Sequence, residues 1–208
     1  MTRPGQREFF KPERLLAFSD GVFAIAVTLL VLDLRLPSEA TAGGDEGVAS
    51  ALLAMGPKLL IFVFTFIVIG IGWLGHHRKF SYIRQVDGGL LWLNLLYLLS
   101  LCLVPFATSL LSDHSDRISF VVYTCVMALV MLLSAGLSAY GLRAPYLMEP
   151  ELRPGTRQDM ILSPFLTGAI FLASAALALA DRMSLAHWAL ILIVPVSVWS
   201  GSREPKRS

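Results

Sequence analysis

Long apolar stretches alternate with short polar segments along the whole chain. A membrane-spanning helix takes roughly 17–25 mainly apolar residues, and six stretches reach or approach that length. They run at about 12–34, 48–75, 88–111, 118–142, 160–180 and 184–200, and Pro195 interrupts the sixth. Since the stretches are continuous rather than alternating, they predict helices and not the strands of a membrane barrel. The pattern therefore predicts an all-α polytopic membrane protein with six transmembrane helices.

Composition supports this fold class. The chain has 208 residues, of which 55% are hydrophobic and 15% charged, with a mean hydropathy of +0.67. A soluble domain averages about 45–50% apolar and about 25% charged residues, so the excess apolar surface requires a lipid environment. Six spans leave room for little else, and we expect residues 1–208 to form a single transmembrane domain. Cys102 and Cys125 both fall inside predicted spans and suggest no disulfide framework.

The distribution of basic residues predicts the orientation. Most of the 17 lysines and arginines fall before the first span, between the second and third, between the fourth and fifth, and after the sixth. Segments rich in Lys and Arg face the cytoplasm, so both termini are expected there, in a multi-pass plasma-membrane protein. The even number of spans agrees with this alternation. The net charge of +2 gives no reason to expect a nucleic-acid partner.

One stripe of the first predicted helix has a regular spacing. At 100° per residue its members are separated by 4-3-4-3-4 positions: Arg14, Phe18, Gly21, Ile25, Thr28 and Leu32. This 3.5-residue repeat is typical of helices that pack around a common axis. The stripe is either an ordinary packing seam or the lining of a pore. In a pore, rings of Ile25 and Leu32 would exclude water, with the Thr28 hydroxyls between them. Periodicity alone leaves both interpretations open.

Asp20 lies about 120° away from this stripe and is predicted to face a neighbouring helix. A carboxylate inside a membrane protein needs hydrogen-bond donors. Candidates from the first three spans are Arg14, Ser19, Trp73, His76, His77 and Asn94. We expect such a network to hold three helices together; direct contact between Asp20 and an ion is the alternative.

The sequence carries no pattern that indicates an enzyme. It has no Gly-x-Ser-x-Gly elbow, no His-Glu-x-x-His and no phosphate-binding loop, which are the usual signatures of such sites. His76 and His77 are adjacent and diverge by about 100° on a helix, so they are poorly placed to share one metal ion. We expect neither a resident metal nor a cofactor.

Two segments resemble a known family. The motif Arg14-x-x-x-Phe18-Ser19-Asp20 with the following GVFAIAVTLLVL, and the stretch WLGHHRKFSYIRQVDGGLLWLNLLYLLSLCLVPF, are similar to the transmembrane-protein-175 family of potassium channels. The resemblance covers roughly the first 110 residues. It implies a bacterial member with one six-helix repeat, assembled as a homotetramer around a pore lined by the first helix.

The resemblance also implies roles for single residues. Ile25 matches the family's hydrophobic constriction, Thr28 its polar ring for potassium preference, and Leu32 a further apolar layer, so permeant potassium is expected near Thr28. The positions that match the family's structural network are Arg14, Phe18, Ser19, Asp20, Trp73, His77 and Asn94. The chain lacks a Thr-Val-Gly-Tyr-Gly filter, so selection by rings of backbone carbonyls is not available and potassium selectivity should be modest.

The function expected from residues and resemblance together is a potassium-permeable cation leak channel in membrane lipid. Two alternatives from other classes stay open. One is a proton-coupled secondary transporter that uses Asp20, although such transporters usually show inverted repeats and broken helices, and no repeat is evident here. The other is a structural membrane subunit that carries no flux.

Overall fold

The described part of the chain is helical along most of its length. A computed structural model describes residues 11–36, 44–144, 146–149, 154–193 and 195–196. The eight α-helices in these ranges are α1 Pro12–Leu29, α2 Gly44–Ala54, α3 Gly56–Phe80, α4 Gly88–Cys102, α5 Val104–His114, α6 Arg117–Arg143, α7 Pro154–Leu179 and α8 Met183–Ile191. A 3₁₀ turn, Leu30–Asp33, extends α1. The predicted all-α class is confirmed.

Five segments among the described residues are long and apolar enough to cross a membrane. They are Pro12–Asp33, Gly56–Phe80, Gly88–His114, Arg117–Arg143 and Gly155–Leu179, and they correspond to the first five predicted spans. The sixth predicted span, 184–200, begins within α8, which has nine residues. Most of the rest of that span lies outside the described residues, so a sixth crossing stays a prediction.

Prolines explain where two of these segments differ from prediction. The second apolar stretch, predicted at 48–75, is divided at Met55, and α3 begins beside Pro57 and continues to Phe80. Proline is favoured in the first turn of a helix, where its missing N–H has no partner to lose. Pro105 has the same position in α5, so the third segment changes helix at Leu103. The break at Met55 places the start of the second crossing several residues later than hydropathy alone predicts. The break at Leu103 lies within the third crossing.

The longest helix forms the centre of the bundle. α6 packs against α7, α4 and α5, while α1 packs against α3, α4 and α5. Completely or almost completely buried side chains from several helices meet between them, including Phe23, Tyr97, Leu101, Tyr123 and Phe171. α1 is therefore held along one side by three helices.

Acidic side chains cap two of these helices. Asp116 Oδ1 accepts a 2.7 Å hydrogen bond from the Ser119 backbone N–H at the start of α6. Hydrogen bonds from Ser119 hold the pKa of the exposed Asp116 carboxyl below its ordinary value. Asp87 caps α4 in the same way, through a 2.9 Å bond from the Leu90 N–H. Both caps satisfy a donor that the first helical turn leaves free.

Asp87 also joins two connecting segments at one end of the bundle. Its carboxylate accepts hydrogen bonds from the Tyr140 hydroxyl at 3.1 Å and the Tyr146 hydroxyl at 2.9 Å. A Cβ at Gly89 would overlap the Tyr140 hydroxyl, so a larger residue there would displace Tyr140 from its place beside Asp87. An isolated antiparallel bridge between Ile83 and Met148 runs alongside. The segment after α3 is thereby fixed to the segment after α6.

Candidate functional site on the first helix

α1 has one buried face and one exposed face. The buried side chains are Leu15, Ser19, Phe23 and Ala26, and Leu30 continues this face into the 3₁₀ turn. The exposed residues include every member of the predicted stripe: Arg14, Phe18, Gly21, Ile25, Thr28 and Leu32. Phe18 is 55% exposed, Ile25 61% and Leu32 53%. Among the described residues of one copy, therefore, no neighbouring helix covers the predicted stripe.

Thr28 is the polar side chain on this stripe between Ile25 and Leu32. Its hydroxyl donates a 2.9 Å hydrogen bond to the Ile25 carbonyl in the preceding turn. A threonine hydroxyl has one proton and two acceptor lone pairs. Because the proton is used within the helix, the oxygen presents only acceptor capacity to whatever faces the stripe. Chemically, this arrangement suits contact with a cation or with water.

A directed chain of hydrogen bonds holds the buried face of α1. Asn94 Nδ2 donates to Ser19 Oγ at 3.0 Å, and Ser19 Oγ donates to the Leu15 carbonyl at 2.8 Å. The amide oxygen, Asn94 Oδ1, lies 2.9 Å from His76 Nε2. Since an amide oxygen only accepts, His76 carries a proton on Nε2. Ser19, Asn94 and His76 are all fully buried, so each depends on the others for its partner.

His76 connects α3 to this chain, while the neighbouring His77 faces outward. The His76 ring stacks on Phe80 with centroids 4.5 Å apart and lies nearly parallel to Tyr97 at 5.5 Å. His77 is exposed, and its ring lies 5.8 Å from the Trp73 ring. His77 is the histidine of the predicted structural network, whereas in the structure it is His76 that contacts Asn94. Both histidines were candidate donors, and sequence alone does not determine which side of α3 faces the bundle.

Asp20 makes a separate contact with α3. Trp73 Nε1 donates a 2.8 Å hydrogen bond to Asp20 Oδ1 at the surface of the protomer. The Asp20 carboxylate therefore lies on the side of α1 that faces α3, away from the stripe. Arg14 and Phe18, the other two predicted network members, are exposed on the stripe itself. Within the described residues, the Arg14 side chain forms no hydrogen bond or ion pair.

The sequence does not predict the burial of Lys79 at the end of α3. Lys79 Nζ donates to the Ser134 carbonyl at 2.6 Å and to the Ser134 hydroxyl at 2.5 Å. The Lys79 side chain is 5% exposed, so its amine joins α3 to α6 instead of lying in a connecting loop. In the sequence it looks like one more basic residue of a cytoplasmic segment. The small polar residue that receives it is 55 positions away and gives no separate signal.

The fold defines a polytopic membrane protein, because five of its segments can cross a membrane. The first of these segments exposes a regular stripe of apolar side chains around a threonine. Residues 14–105 match the family model described as "Endosomal/lysosomal potassium channel TMEM175". A protein described as a potassium channel, from Streptomyces collinus, is 40% identical over 195 residues, which cover 88% of this chain and 93% of that protein. The chain belongs to the TMEM175 family. This is a family of ion channels and not of enzymes.

Further relatives agree with this membership. The crystal structure of a TMEM175 homologue from Chamaesiphon minutus, described as a lysosomal potassium-selective channel, superposes with a TM-score of 0.76 at 27% identity. The match covers 91% of this chain and 97% of that one. The human protein, described as an endosomal/lysosomal proton channel, is 27% identical over 86% of this chain but only 37% of its own length. The matched residues 14–105 include the stripe and every residue of the network around Ser19 and Asp20.

Proposed function

We propose that this protein is a potassium-permeable cation leak channel of the bacterial plasma membrane, built as a homotetramer. The observation that carries the proposal is the exposed stripe of α1, where Thr28 lies between Ile25 and Leu32. Family membership supports ion conduction, and the names of the bacterial relatives support potassium as the ion. Six crossings, with both termini in the cytoplasm, are part of the proposal.

The spacing of the stripe supports assembly around an axis. Side chains separated by alternating steps of four and three stay on one side of a helix that packs against copies of itself. Isolated exposed apolar residues would suit lipid equally well, but lipid does not require this register. In the proposed tetramer, α1 from each copy turns the stripe inward while the network around Ser19 holds its other face against α3 and α4.

The order of the residues along the stripe supports a gated, modestly selective path. Ile25 and Thr28 are separated by about 4.5 Å along a helix axis. Thr28 and Leu32 are separated by about 7 Å, because the 3₁₀ turn Leu30–Asp33 rises by about 2 Å per residue. Rings of Ile25 and Leu32 are apolar constrictions that exclude water when they are narrow. The Thr28 ring between them offers acceptor oxygens that replace part of the hydration shell of potassium. Widening the Ile25 ring by helix movement opens the path.

The position of Asp20 argues against the transporter alternative. A proton-coupling carboxylate has to meet the transported ion or a path for protons, whereas Asp20 is off the stripe and accepts a hydrogen bond from Trp73. We therefore assign Asp20 to the contact between α1 and α3.

Recording from the purified protein in planar bilayers tests the proposal. We expect discrete unitary currents that do not saturate as carrier flux does, need no proton gradient, and reverse closer to the potassium than to the sodium equilibrium potential. Flux that saturates and follows an imposed proton gradient would favour the transporter. Absence of any current or vesicle flux from a protein that elutes as a tetramer would favour the structural subunit.

A further inference from the structure

The exposed stripe of α1 ends in an arginine. Arg35 follows Leu32 by three positions and lies two residues beyond the end of the 3₁₀ turn Leu30–Asp33, so a contact with Leu32 rather than helical register places it at the end of the stripe. The residue is exposed. Its Nε–H donates a 2.9 Å hydrogen bond to the Leu32 carbonyl, one of the last carbonyls of the helical segment, which has no partner within the helix. The bond fixes the base of the guanidinium directly beyond the Leu32 position.

The charge of Arg35 is not neutralised within the described part of the chain. No carboxylate there forms an ion pair with it. Lys58 and Arg117, which lie on the same side by span order, are each paired: Lys58 with Asp113 at 2.6 Å and Arg117 with Asp181 at 3.0 Å. Asp33 lies two residues before Arg35, but the hydrogen bond between them joins backbone atoms: the Arg35 N–H donates to the Asp33 carbonyl at 3.0 Å. The guanidinium is thus an exposed positive charge at the end of the stripe.

We propose that Arg35 forms a positively charged ring at the outer mouth of the pore and limits the entry of cations. The inference rests on the proposed function, because only assembly around the α1 stripe brings the copies of Arg35 together. Positive charge at a narrow mouth lowers the local cation concentration and therefore the inward current. In this role Arg35 sets the rate of cation entry, separately from the Thr28 ring deeper in the path.

Salt dependence separates this electrostatic role from a purely structural one. The Debye length is about 30 Å at 0.01 M salt and about 3 Å at 1 M, so a charged ring acts on approaching ions only in dilute salt. The hydrogen bond to Leu32 is a local contact that such changes leave in place. Removing the charge should therefore change conductance strongly at low salt and little at high salt.

The test compares unitary conductance of Arg35→Gln and the native protein from 10 mM to 1 M KCl. We expect Arg35→Gln to raise inward conductance several-fold at 10 mM and to converge with the native value at 1 M. Arg35→Lys, which keeps the charge, should follow the native curve. Arg117→Gln, which removes a paired arginine on the same side, should also follow it. An Arg35→Gln curve parallel to the native one at every salt concentration would overturn the proposal.

A second measurement avoids comparing two differently folded proteins. Arg35→Cys, with Cys102 and Cys125 replaced by alanine, is modified during recording by methanethiosulfonate reagents of opposite charge. The cationic reagent should reduce inward current at 10 mM KCl and the anionic reagent should increase it, whereas equal effects of both would contradict the electrostatic role. Ile25→Asn recorded in parallel separates the two levels. If Ile25→Asn alters conductance and the Arg35 variants do not, only the proposal of a charged ring at Arg35 fails. If neither Ile25→Asn nor the Arg35 variants alter conductance, the assignment of the α1 stripe to the pore fails.

Discussion

The Asn94 amide donates a 3.0 Å hydrogen bond to the Ser19 hydroxyl, and this contact joins α4 to α1 in the protein interior. Since His76 Nε2 and Asn94 Oδ1 are 2.9 Å apart, one asparagine connects three helices. The contact lies on the face of α1 opposite the exposed stripe. The rotation of α1 about its own axis, and hence the direction of Ile25 and Thr28, is fixed by these polar contacts together with the buried Leu15, Phe23 and Ala26 on the same face.

Replacing Asn94 by leucine should destabilise the protein more than an ordinary polar-to-apolar change. The substitution leaves the buried His76 N–H without its acceptor, and an unsatisfied buried group costs about 1–3 kcal/mol. We expect a clear fall in the midpoint of thermal unfolding in detergent. Thr108→Val is the matched control, since Thr108 is buried and, among the described residues, its hydroxyl bonds only to the Val104 carbonyl of its own helix. Equal midpoints for the two variants would contradict the bridging role.

How far the sequence predicts this site can be seen on two helices. On α1, the 3.5-residue spacing is a property of neighbouring positions, and all six stripe members are exposed. On α3, the choice between His76 and His77 depends on how that helix is rotated against α4, which no local pattern specifies. Lys79 illustrates the same limit, because its burial follows from Ser134 on a distant helix. Periodicity defines faces within a helix; the partners of polar groups between helices require the packed structure.

The Asp20 contact predicts a difference between two substitutions at one position. Asp20→Asn keeps a side-chain oxygen that can accept the Trp73 indole hydrogen bond, whereas Asp20→Ala removes it. A hydrogen bond of this kind contributes about 0.5–1.5 kcal/mol. We expect Asp20→Ala, and equally Trp73→Phe, to reduce recovery of the proposed tetramer by size exclusion, while Asp20→Asn is recovered normally and conducts potassium. An assembled Asp20→Asn protein that has lost all flux would instead favour proton coupling through this carboxylate.

The proposed constriction at Ile25 predicts a gain of conductance when this residue becomes polar. Ile25→Asn places amides in the narrow ring, so water enters it more readily and the barrier to ions falls. We expect potassium efflux from vesicles and unitary conductance to rise several-fold. Val31→Asn is the control, since Val31 is also an exposed apolar residue near the end of the same helix, 50% exposed, but off the stripe. Native-like flux in Ile25→Asn, or the same increase in Val31→Asn, would remove Ile25 from the pore.

Thr28 predicts a loss of selectivity without a loss of current. The Thr28 hydroxyl donates its proton to the Ile25 carbonyl, so the lone pairs of its oxygen face outward. Thr28→Val keeps the shape of the side chain but removes this oxygen. In the proposed pore, potassium then loses the oxygens that replace part of its hydration shell, and the permeabilities of sodium and potassium become more alike. We expect reversal potentials under bi-ionic conditions to move toward zero in Thr28→Val. Thr28→Ser retains a hydroxyl that can make the same bond within the helix, and its reversal potential should stay near the native one. If Thr28→Val also keeps the native reversal potential while conducting normally, the selecting oxygens are not those of Thr28.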